Sequence, residues 1–497
     1  MRNQFVIGSL VIVGAVVAVG FWYPPFLWSF VVIGPLLALG VHDMFQPNHT
    51  ILRNFPLLGH FRYLFEMISP EIQQYFIERN IDGTPICRTH RSLVYQRAKE
   101  ELETRPFGTQ VNIYNSSYNG LRHSMFPVEL CKDEFRTTIG GDACKLPYSA
   151  SVLNISAMSY GSLSKNAVLA LSKGAKKGNF YHNTGEGGIS EYHIQGGADL
   201  VWQIGTAYFG CRTEDGCFNP EAFKEKARKD QVKMVELKLS QGAKPGHGGV
   251  LPAEKNTPEI AKIRMVEPFT TIQSPPGHRE FSDSLGLLKF IKDLKQLSQG
   301  KPVGFKLCIG REDEFVKLCD DMQRTGIKPD FITIDGAEGG TGAAPLEFTD
   351  SVGMPLLPAL EFADKTLKEA GMRDGITLIA SGKVITAISI MNRLAHGADI
   401  CNAARAFMLT LGCIQALRCD TNTCPTGVAT QDPMLVNGLV VEEKYERVAN
   451  FHKNTIHALK ELMAASGVNS LDAITDDIFM EAKDWAKEHY EITATQT

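Results

Sequence analysis

Short apolar segments alternate with glycine-rich or polar loops and with amphipathic stretches over most of the chain after about residue 150. Amphipathic stretches such as Asp283–Leu297 and Ile385–His396 predict helices between the apolar segments. Because strands that alternate with helices form parallel sheets, the pattern predicts an α/β fold, and eight strands favour a closed (β/α)8 TIM barrel over a doubly wound open sheet. The predicted strands are Leu153–Met158, Phe180–Asn183, Leu200–Ile204, Met234–Leu239, Val303–Leu307, Phe331–Ile334, Leu378–Ala380 and Ile400–Ala403.

The amino-terminal residues have a different pattern, with two uncharged apolar runs at Phe5–Trp22 and Phe26–Val41. Runs of this length predict a transmembrane hairpin, although a single anchor, a re-entrant loop or a signal peptide would share much of the pattern. The turn between the runs carries no Lys or Arg, and basic residues flank the hairpin on both sides. The positive-inside rule therefore places both ends, and the catalytic part, in the cytoplasm at the cell membrane. The flanking residues are Arg2, Arg53 and Arg62.

Four regions follow from these patterns: a transmembrane hairpin at 1–45, a connector at 46–150, the barrel at 151–438 and a helical cover at 439–497. Within the connector, Ser69 as an N-cap and Pro70 in the first turn predict a helix from Pro70 to Arg79. Within the cover, Val441–Met463 is predicted to be an amphipathic helix.

Composition narrows the class of protein. The 497 residues are 44% hydrophobic and 21% charged, which is typical of a folded globular protein. The formal net charge of −4 gives no basic surface for nucleic acid. The 11 cysteines are scattered and odd in number, so reduced thiols or metal ligands are favoured over a disulfide framework.

Glycine-rich loops follow the predicted strands at the end where barrel enzymes place their sites. Glycines allow backbone N–H groups to approach an anion closely, and phosphate sites of barrels lie after the seventh and eighth strands. The loops after strands six to eight therefore predict a phosphate-binding cup, with tight turns as the structural alternative. Its candidate residues are Gly339, Gly340, Thr341, Ser381, Gly382 and Arg405.

Lysines stand at or just beyond the ends of two predicted strands. Lys238 ends the fourth strand, Lys244 follows it, and Lys306 ends the fifth. A lysine in an apolar strand is costly unless it is paired or faces a polar site. These lysines are candidate catalytic cations for a substrate carboxylate or a reduced flavin; the alternative is that they are surface residues at strand ends.

Cys413, Cys419 and Cys424 form a C-x5-C-x4-C motif followed by proline. Thiolates bind Fe–S clusters, and three ligands suit a three-iron cluster or a four-iron cluster with one labile corner. Zinc and structural thiols are the alternatives. We expect Cys413 in the helix after strand eight and the other two cysteines in the loop beyond it.

The chain from about residue 156 to 433 resembles the FMN-binding synthase domain of glutamate synthases. The resemblance covers a little over half of the chain and is carried by segments 156–164, 183–188, 241–246, 339–343 and 419–431. It implies FMN, and a [3Fe–4S] cluster on the three cysteines. It also implies that Ser159 and Gln203 contact the flavin ring, while Gly382 and Arg405 hold the phosphate.

The resemblance further implies a reaction. In the family, 2-oxoglutarate condenses with ammonia, and reduced FMN converts the resulting 2-iminoglutarate to L-glutamate while the cluster supplies electrons. The absence of a dinucleotide fingerprint after an early strand also favours FMN over FAD. Lys238, Lys244 and Lys306 would hold carboxylates or the flavin.

Departures from the family pattern bear on partners. An amino-terminal glutaminase domain, a carboxyl-terminal β-helix and a pyridine-nucleotide domain are not found in the sequence, so ammonia is expected to be free or to come from a separate glutaminase. Electrons are expected from a ferredoxin or a reductase subunit, and the lipid bilayer is the remaining partner. His247 stands where glutaminase-fused members usually have Glu. The competing functions are an FMN/Fe–S oxidoreductase of another amino or N-substituted glutamate compound, and a non-catalytic electron-relay subunit.

Overall fold

The computed structural model describes residues 1–114, 118–141 and 144–481. The chain divides into two compact units, residues 1–87 and 88–497. The first unit contains the apolar amino-terminal runs, and the second contains the strands of the predicted barrel.

The first unit begins with two long apolar helical segments. Helix Arg2–Trp22 is followed by a 3-10 turn, Pro24–Ser29, which leads directly into helix Phe30–Phe45. The helices run antiparallel. Arg2, at the start of the first helix, donates to the carbonyl of Met44, near the end of the second, at 3.4 Å. Segments Arg2–Trp22 and Pro24–Phe45 are each long and apolar enough to cross a membrane.

The remainder of this unit is helical, with bounds Thr50–Asn54, Gly59–Ile72 and a π-helical turn at Gln73–Ile77. The predicted start at Pro70 is wrong: the helix begins at Gly59, and Pro70 lies inside its last turn. Phe61, Leu64 and Phe65 continue the helical spacing of apolar side chains before Ser69. That extended pattern outweighs the local cap signal.

The second unit contains a closed barrel of eight parallel strands. All eight predicted strands are present, and the predicted (β/α)8 class is confirmed. We number the strands β1 to β8, and each pairs with its neighbour in the chain while β8 closes on β1. Their bounds are Leu153–Ile155, His182–Asn183, Leu200–Ile204, Val232–Lys238, Val303–Leu307, Phe331–Asp335, Thr377–Ser381 and Ile400–Ala403.

Helices follow every strand and surround the barrel. Two predicted helices begin slightly later than the apolar pattern suggested, because the side chains of Asp283 and Thr386 act as N-caps. The helix bounds are Lys165–Gly178, Glu191–Gly196, Pro220–Ala227, Pro258–Arg264, Ser284–Leu297, Glu312–Thr325, Leu346–Ser351, Leu356–Glu369, Ala387–Ala395 and Arg405–Thr410.

An antiparallel ribbon closes the amino-terminal end of the barrel. Its strands, Arg136–Ile139 and Tyr148–Ser151, pair through Arg136 and Ser151 at one end and Ile139 and Tyr148 at the other. Apolar ribbon side chains pack with residues from inside the barrel to form one buried core. That core consists of Ile139, Tyr148, Ala150, Tyr181, Val201, Met234, Phe331, Ile379 and Ile400.

The outer layer is completed by segments from both ends of the second unit. Helix Val441–Ala465 packs against helices Lys165–Gly178 and Arg88–Lys99. Two further ribbons, a short helix and three 3-10 turns complete the described part of the second unit. Their bounds are Asn119–Leu121 with Phe479–Glu481, Val250–Leu251 with Ile272–Gln273, the helix Pro433–Asn437, and the turns Ala253–Lys255, Leu471–Ala473 and Asp476–Ile478.

Candidate active site

Polar and charged side chains gather at the carboxyl-terminal end of the barrel, where the strand register aligns them. Lys238 on β4 lies directly beside Lys306 on β5. Gln203 on β3 is paired in register with Glu236 on β4. All four side chains are buried. Because a charged side chain is seldom buried without a partner, this end of the barrel must contain compensating groups.

Lys238 forms an ion pair with Glu186, which follows β2. Its Nζ lies 2.8 Å from Glu186 Oε1. Gly205 and Gly249 approach the carboxylate so closely that a Cβ at either position would collide with it. Burial by itself would raise the pKa of Glu186, but the charges of Lys238 and other nearby cations hold it below its usual value. The pair is therefore ionised inside a narrow enclosure.

Lys244 lies in the same enclosure, and none of the carboxylates in the described part of the chain forms an ion pair with it. Its Nζ donates to the carbonyl of Ala343 at 2.6 Å. Burial and then the charge of Lys238 lower the pKa of Lys244 to about 8, while Glu186 opposes that shift. An anionic ligand beside Lys244 would favour its charged form.

Arg264 is a third buried cation near Glu186, although sequence analysis did not single it out. Burial lowers its pKa to about 10, against the effect of Glu186. Its guanidinium donates to the carbonyl of Tyr160 at 3.2 Å. A Cβ at Gly187 would lie 3.0 Å from Arg264 Nη2, so the glycine of this loop makes room for the guanidinium. One carboxylate thus faces several cations, which leaves net positive charge for an acidic ligand.

Glu236 organises the wall of the barrel beneath these cations. Its carboxylate accepts from Gln203 Nε2 at 2.6 Å, Asn183 Nδ2 at 2.7 Å and Thr333 Oγ1 at 2.6 Å. Since the amide nitrogen of Gln203 is held by Glu236, its amide oxygen is free to accept from a ligand. Gln203 is thereby fixed in one orientation.

Lys306 pairs with Asp335 at the end of β6, with 3.2 Å between Nζ and Oδ2. Burial would lower the pKa of Lys306, but Asp335 and Glu236 raise it above its usual value. Asp335 Oδ2 also accepts from the backbone N–H of Gly242 at 2.9 Å. A side chain at Gly242 would collide with the carbonyl of Gly336, so the loops after β4 and β6 touch through their backbones.

The predicted phosphate cup brings together the loops after β6, β7 and β8. Arg405 Nη2 donates to the carbonyl of Glu338 at 2.6 Å, and a Cβ at Gly340 would lie 2.9 Å from Arg405 Nε. Gly382 has φ of +147°, a conformation suited to glycine. The pKa of Lys383 is lowered by burial and then by Arg405. Two close cations beside glycine backbone are the donor set that a phosphate monoester requires.

Three other predicted cofactor residues lie in or after β7, β6 and β1. Ser381 is buried at the end of β7, and Thr341 Oγ1 accepts from Gln241 Nε2 at 3.2 Å. Ser159, after β1, donates through Oγ to Ser162 Oγ at 3.1 Å. A Cβ at Gly185 would lie 2.9 Å from the backbone nitrogen of Ser159, so the β1 and β2 loops are in close contact.

The cysteine motif begins beyond the short helix that follows β8, so the prediction that Cys413 lies inside this helix is wrong. Helix Arg405–Thr410 has 6 residues and ends before it. Gly412, with φ of +99°, turns the chain away at that point. Cys413 therefore begins the loop that also carries the other two cysteines, and its carbonyl accepts from Tyr95 Oη at 2.6 Å.

The three thiols are close enough to influence one another. Burial and the charges of Cys419 and Cys424 raise the pKa of Cys413, which reaches about 12. Burial opposes ionisation of Cys424 as well, yet Thr426 and backbone N–H groups that face its sulfur lower its pKa. Donors directed at a thiolate suit an Fe–S ligand.

No three His, Cys, Asp or Glu side chains converge tightly enough to hold a single metal ion in residues 1–114, 118–141 and 144–481. In a cluster each thiolate binds a different iron, so its sulfurs need not converge on one point. Three thiols in one loop are a donor set that an Fe–S cluster can use.

Lys255 links the cysteine loop to the β1 loop, and sequence analysis did not identify it. It is 2% exposed. Its Nζ donates to the carbonyls of Ser162 at 2.7 Å, Cys419 at 3.1 Å and Ala429 at 3.1 Å. Burial lowers the pKa of Lys255 to about 8, and the thiolate charges of Cys419 and Cys424 oppose that shift.

Comparison with known proteins identifies the family. The family described as "Conserved region in glutamate synthase" matches residues 131–469, which include the barrel and the cysteine motif. The chain belongs to the glutamate synthase family. It is an oxidoreductase of the glutamate synthase type, as the sequence resemblance predicted.

Three relatives show the range of similarity within the glutamate synthase family. The Bacillus subtilis glutamate synthase large subunit-like protein YerD is 42% identical over 471 residues, or 86% of this chain and 89% of that protein. The archaeal glutamate synthase [NADPH] of Methanocaldococcus jannaschii is 36% identical over 64% of this chain and 60% of that protein. The archaeal-type glutamate synthase [NADPH] of Thermotoga maritima is 33% identical, with the same two shares.

Two solved structures show weaker similarity. A flavocytochrome b2 variant with pyruvate bound has a TM-score of 0.45 and 14% identity, over 92% of this chain and 96% of that one. A mandelate oxidase with (S)-2-phenylpropionate has a TM-score of 0.42 and 12% identity, over 79% of this chain and 89% of that one.

Proposed function

We propose that this member of the glutamate synthase family reductively aminates 2-oxoglutarate to L-glutamate, using FMN and a [3Fe–4S] cluster. The observation that carries the proposal is the enclosure at the ends of β2 and β4, where Lys238, Lys244 and Arg264 surround a single carboxylate, Glu186. An excess of buried positive charge beside a phosphate cup suits a dicarboxylic acid next to a phosphorylated cofactor.

In this proposal Lys238 and Lys244 hold the substrate carboxylates. The carbonyl of 2-oxoglutarate and ammonia form 2-iminoglutarate and water, and the C=N carbon then accepts a hydride while the nitrogen takes a proton. Bound FMN supplies that hydride when reduced. Glu186 stays ionised beside Lys238. Its role is to orient the lysine ammonium group and to offset part of the positive charge in the enclosure. The enclosure excludes water, which strengthens each of these contacts.

The residues that would hold FMN lie in or after six of the eight strands. Gly340, Gly382 and Arg405 would bind the phosphate, with Gly339, Thr341 and Ser381 completing the cup. Ser159 would contact the ring. Gln203 would accept from the N–H of the flavin pyrimidine through its amide oxygen, because the hydrogen bond from Nε2 to Glu236 fixes the orientation of the amide. Lys306 would stabilise negative charge on the reduced ring.

The [3Fe–4S] cluster would be held by Cys413, Cys419 and Cys424. Support comes from contacts of the cysteine loop with the β1 and β6 loops, which carry proposed flavin-binding residues. Gln431 Nε2 donates to the carbonyl of Leu163 at 2.9 Å, and a Cβ at Gly342 would lie 4.0 Å from Cys419 Cβ. Electrons would come from a ferredoxin or a reductase subunit, and ammonia would be free or come from a separate glutaminase.

We place the enzyme at the cell membrane with its catalytic unit in the cytoplasm. The two apolar helices form an antiparallel hairpin of membrane-spanning length. Removal of residues 1–41 should release the enzyme from vesicles of bacterial lipids without loss of flavin, whereas retention on the vesicles would contradict the hairpin as its sole anchor. A reporter fused at Thr497 should be cytoplasmic.

Turnover with 2-oxoglutarate, ammonium and an artificial one-electron reductant tests the reaction. L-glutamate should accumulate in proportion to reductant consumed, and denaturation should release FMN. If only an N-substituted glutamate is turned over, the substrate assignment fails. If neither is turned over while flavin and cluster still exchange electrons, the chain is a relay subunit. Release of FAD, or of no flavin, would contradict the cofactor assignment.

Replacement of Cys419 by Ser tests the cluster, since a serine oxygen is a poor substitute for a thiolate. The iron content should fall or vanish, while much of the FMN remains bound. Cys319→Ser, in helix Glu312–Thr325, is the control and should retain both. Full iron and full turnover in Cys419→Ser would show that these are structural thiols.

A further inference from the structure

Lys255 is a buried cation whose hydrogen-bond partners are all neutral. An ammonium group has three N–H donors, and those of Lys255 are directed to three backbone carbonyls. In the described part of the chain no Asp or Glu forms an ion pair with it. Carbonyl oxygens replace the hydrogen bonds to water, but they do not neutralise the charge. The charge of Lys255 is therefore available to interact with a negative group nearby.

The position of Lys255 indicates which group that is. Its Nζ lies 3.1 Å from the carbonyl oxygen of Cys419, a proposed ligand of the cluster. Thiolates bound to iron together with inorganic sulfides form an anionic group. The anion that compensates Lys255 would thus be the cluster itself.

Lys255 also connects the two proposed redox centres. One of its carbonyl partners belongs to Ser162, whose Oγ accepts from Ser159 in the β1 loop near the proposed flavin ring. The other two belong to Cys419 and Ala429 in the cysteine loop. Replacement of this side chain would remove a charge and a connection between loops at once, so the two effects need separate variants.

We infer that Lys255 is a positioning residue that raises the reduction potential of the cluster through its charge and holds the cysteine loop against the β1 loop. Adding one electron makes the cluster more negative, and a nearby cation stabilises the reduced form more than the oxidised form. This inference depends on the proposed cluster, but on neither the substrate nor the membrane hairpin.

Lys301 provides a matched control. It is 7% exposed, and its Nζ donates to the carbonyls of Ala227 at 2.7 Å and Lys229 at 2.8 Å. Burial lowers its pKa to about 8 as well. It precedes β5, at the amino-terminal end of the barrel, whereas the cysteines lie beyond β8 at the other end. Lys301→Met therefore removes a similarly buried cation away from the cluster.

The test is a titration of the cluster signal by electron paramagnetic resonance in the full-length holoenzyme, with redox mediators and no substrate. Lys255→Gln keeps a hydrogen-bond donor and removes the charge, while Lys255→Met removes both. In both variants the reduction potential should fall by about 59 mV or more. For a one-electron couple this corresponds to a tenfold change in the equilibrium constant for electron transfer. Lys301→Met should leave it unchanged.

The outcomes separate this inference from the proposed function. Wild-type protein without iron would overturn the cluster and this inference together. A wild-type cluster with unchanged potential in Lys255→Gln would overturn only the role of Lys255. Loss of iron confined to the Lys255 variants, with FMN retained, would support its role in holding the cysteine loop. Equal loss in Lys301→Met would contradict it.

Discussion

The two ends of the barrel are built from the same strands but have opposite chemistry. At the amino-terminal end, Met234 and Phe331 pack against the ribbon that closes the barrel. At the carboxyl-terminal end of the same two strands, Lys238 and Asp335 are buried in ion pairs. Within one strand, a few residues thus separate an apolar surface that stabilises the fold from a charged surface that suits ligand binding and catalysis. Mutations at the amino-terminal end should mainly change stability, and mutations at the carboxyl-terminal end should mainly change activity.

The largest expected effect is on activity, at the carboxyl-terminal end. Lys238→Met should lower kcat/KM for 2-oxoglutarate about 100- to 1,000-fold, because a carboxylate partner is lost and Glu186 is left less compensated. Steady-state kinetics measure this. Lys233→Met, near the amino-terminal end of the same strand and partly exposed, is the control and should stay within about twofold of wild type. Equal losses in both variants would contradict the distinction between the ends.

A large effect on stability should arise at the amino-terminal end. Met234→Ala removes a fully buried side chain and should lower the free energy of unfolding by about 2–5 kcal/mol. Thermal unfolding monitored by circular dichroism measures it, and kcat at a temperature below the transition should be nearly unchanged. The control is Met434→Ala, since Met434 is 82% exposed and should contribute little. A large fall in kcat with stability retained would show that the apolar end also shapes the site.

The smallest effect is a pH dependence that distinguishes the cations of the site. Since the pKa of Lys244 is lowered to about 8, this lysine loses its charge as pH rises above that value. The KM for 2-oxoglutarate should then increase by up to about tenfold per pH unit above pH 8, with little change below it. In Lys244→Arg the increase should disappear, because a guanidinium stays charged. A KM that rises equally in this variant would assign the titration to another group.

The barrel was predictable because its signals are local. Each of the eight strands is a short apolar run followed by a loop of glycine or polar residues, so each could be recognised by itself. The helix at residues 59–72 was misplaced because Ser69 and Pro70 imitate a helix start. The prediction that Cys413 lies in a helix overlooked Gly412, a residue type that commonly ends helices; this helix ends at Thr410.

The partners within the site were less predictable than its candidate residues. Lys238, Lys306 and Arg405 were marked by their positions at strand ends, but their partners lie far along the chain. Glu186 was visible only as part of a glycine-rich string, and Arg264 and Lys255 had no distinguishing pattern. Pairing of this kind depends on which loops meet in space, and the chain order alone does not determine that.

The contact at Gly242 limits how this enzyme can diverge. Because the backbone of the β4 loop lies against the carbonyl of Gly336, any side chain at position 242 would force the two loops apart. The β4 loop carries Lys244, and the β6 loop carries Gly340. A lineage that altered substrate preference by lengthening or reshaping the first loop would therefore have to accommodate the second in the same step. Changes of specificity are easier to reach through side chains on these loops than through their backbones.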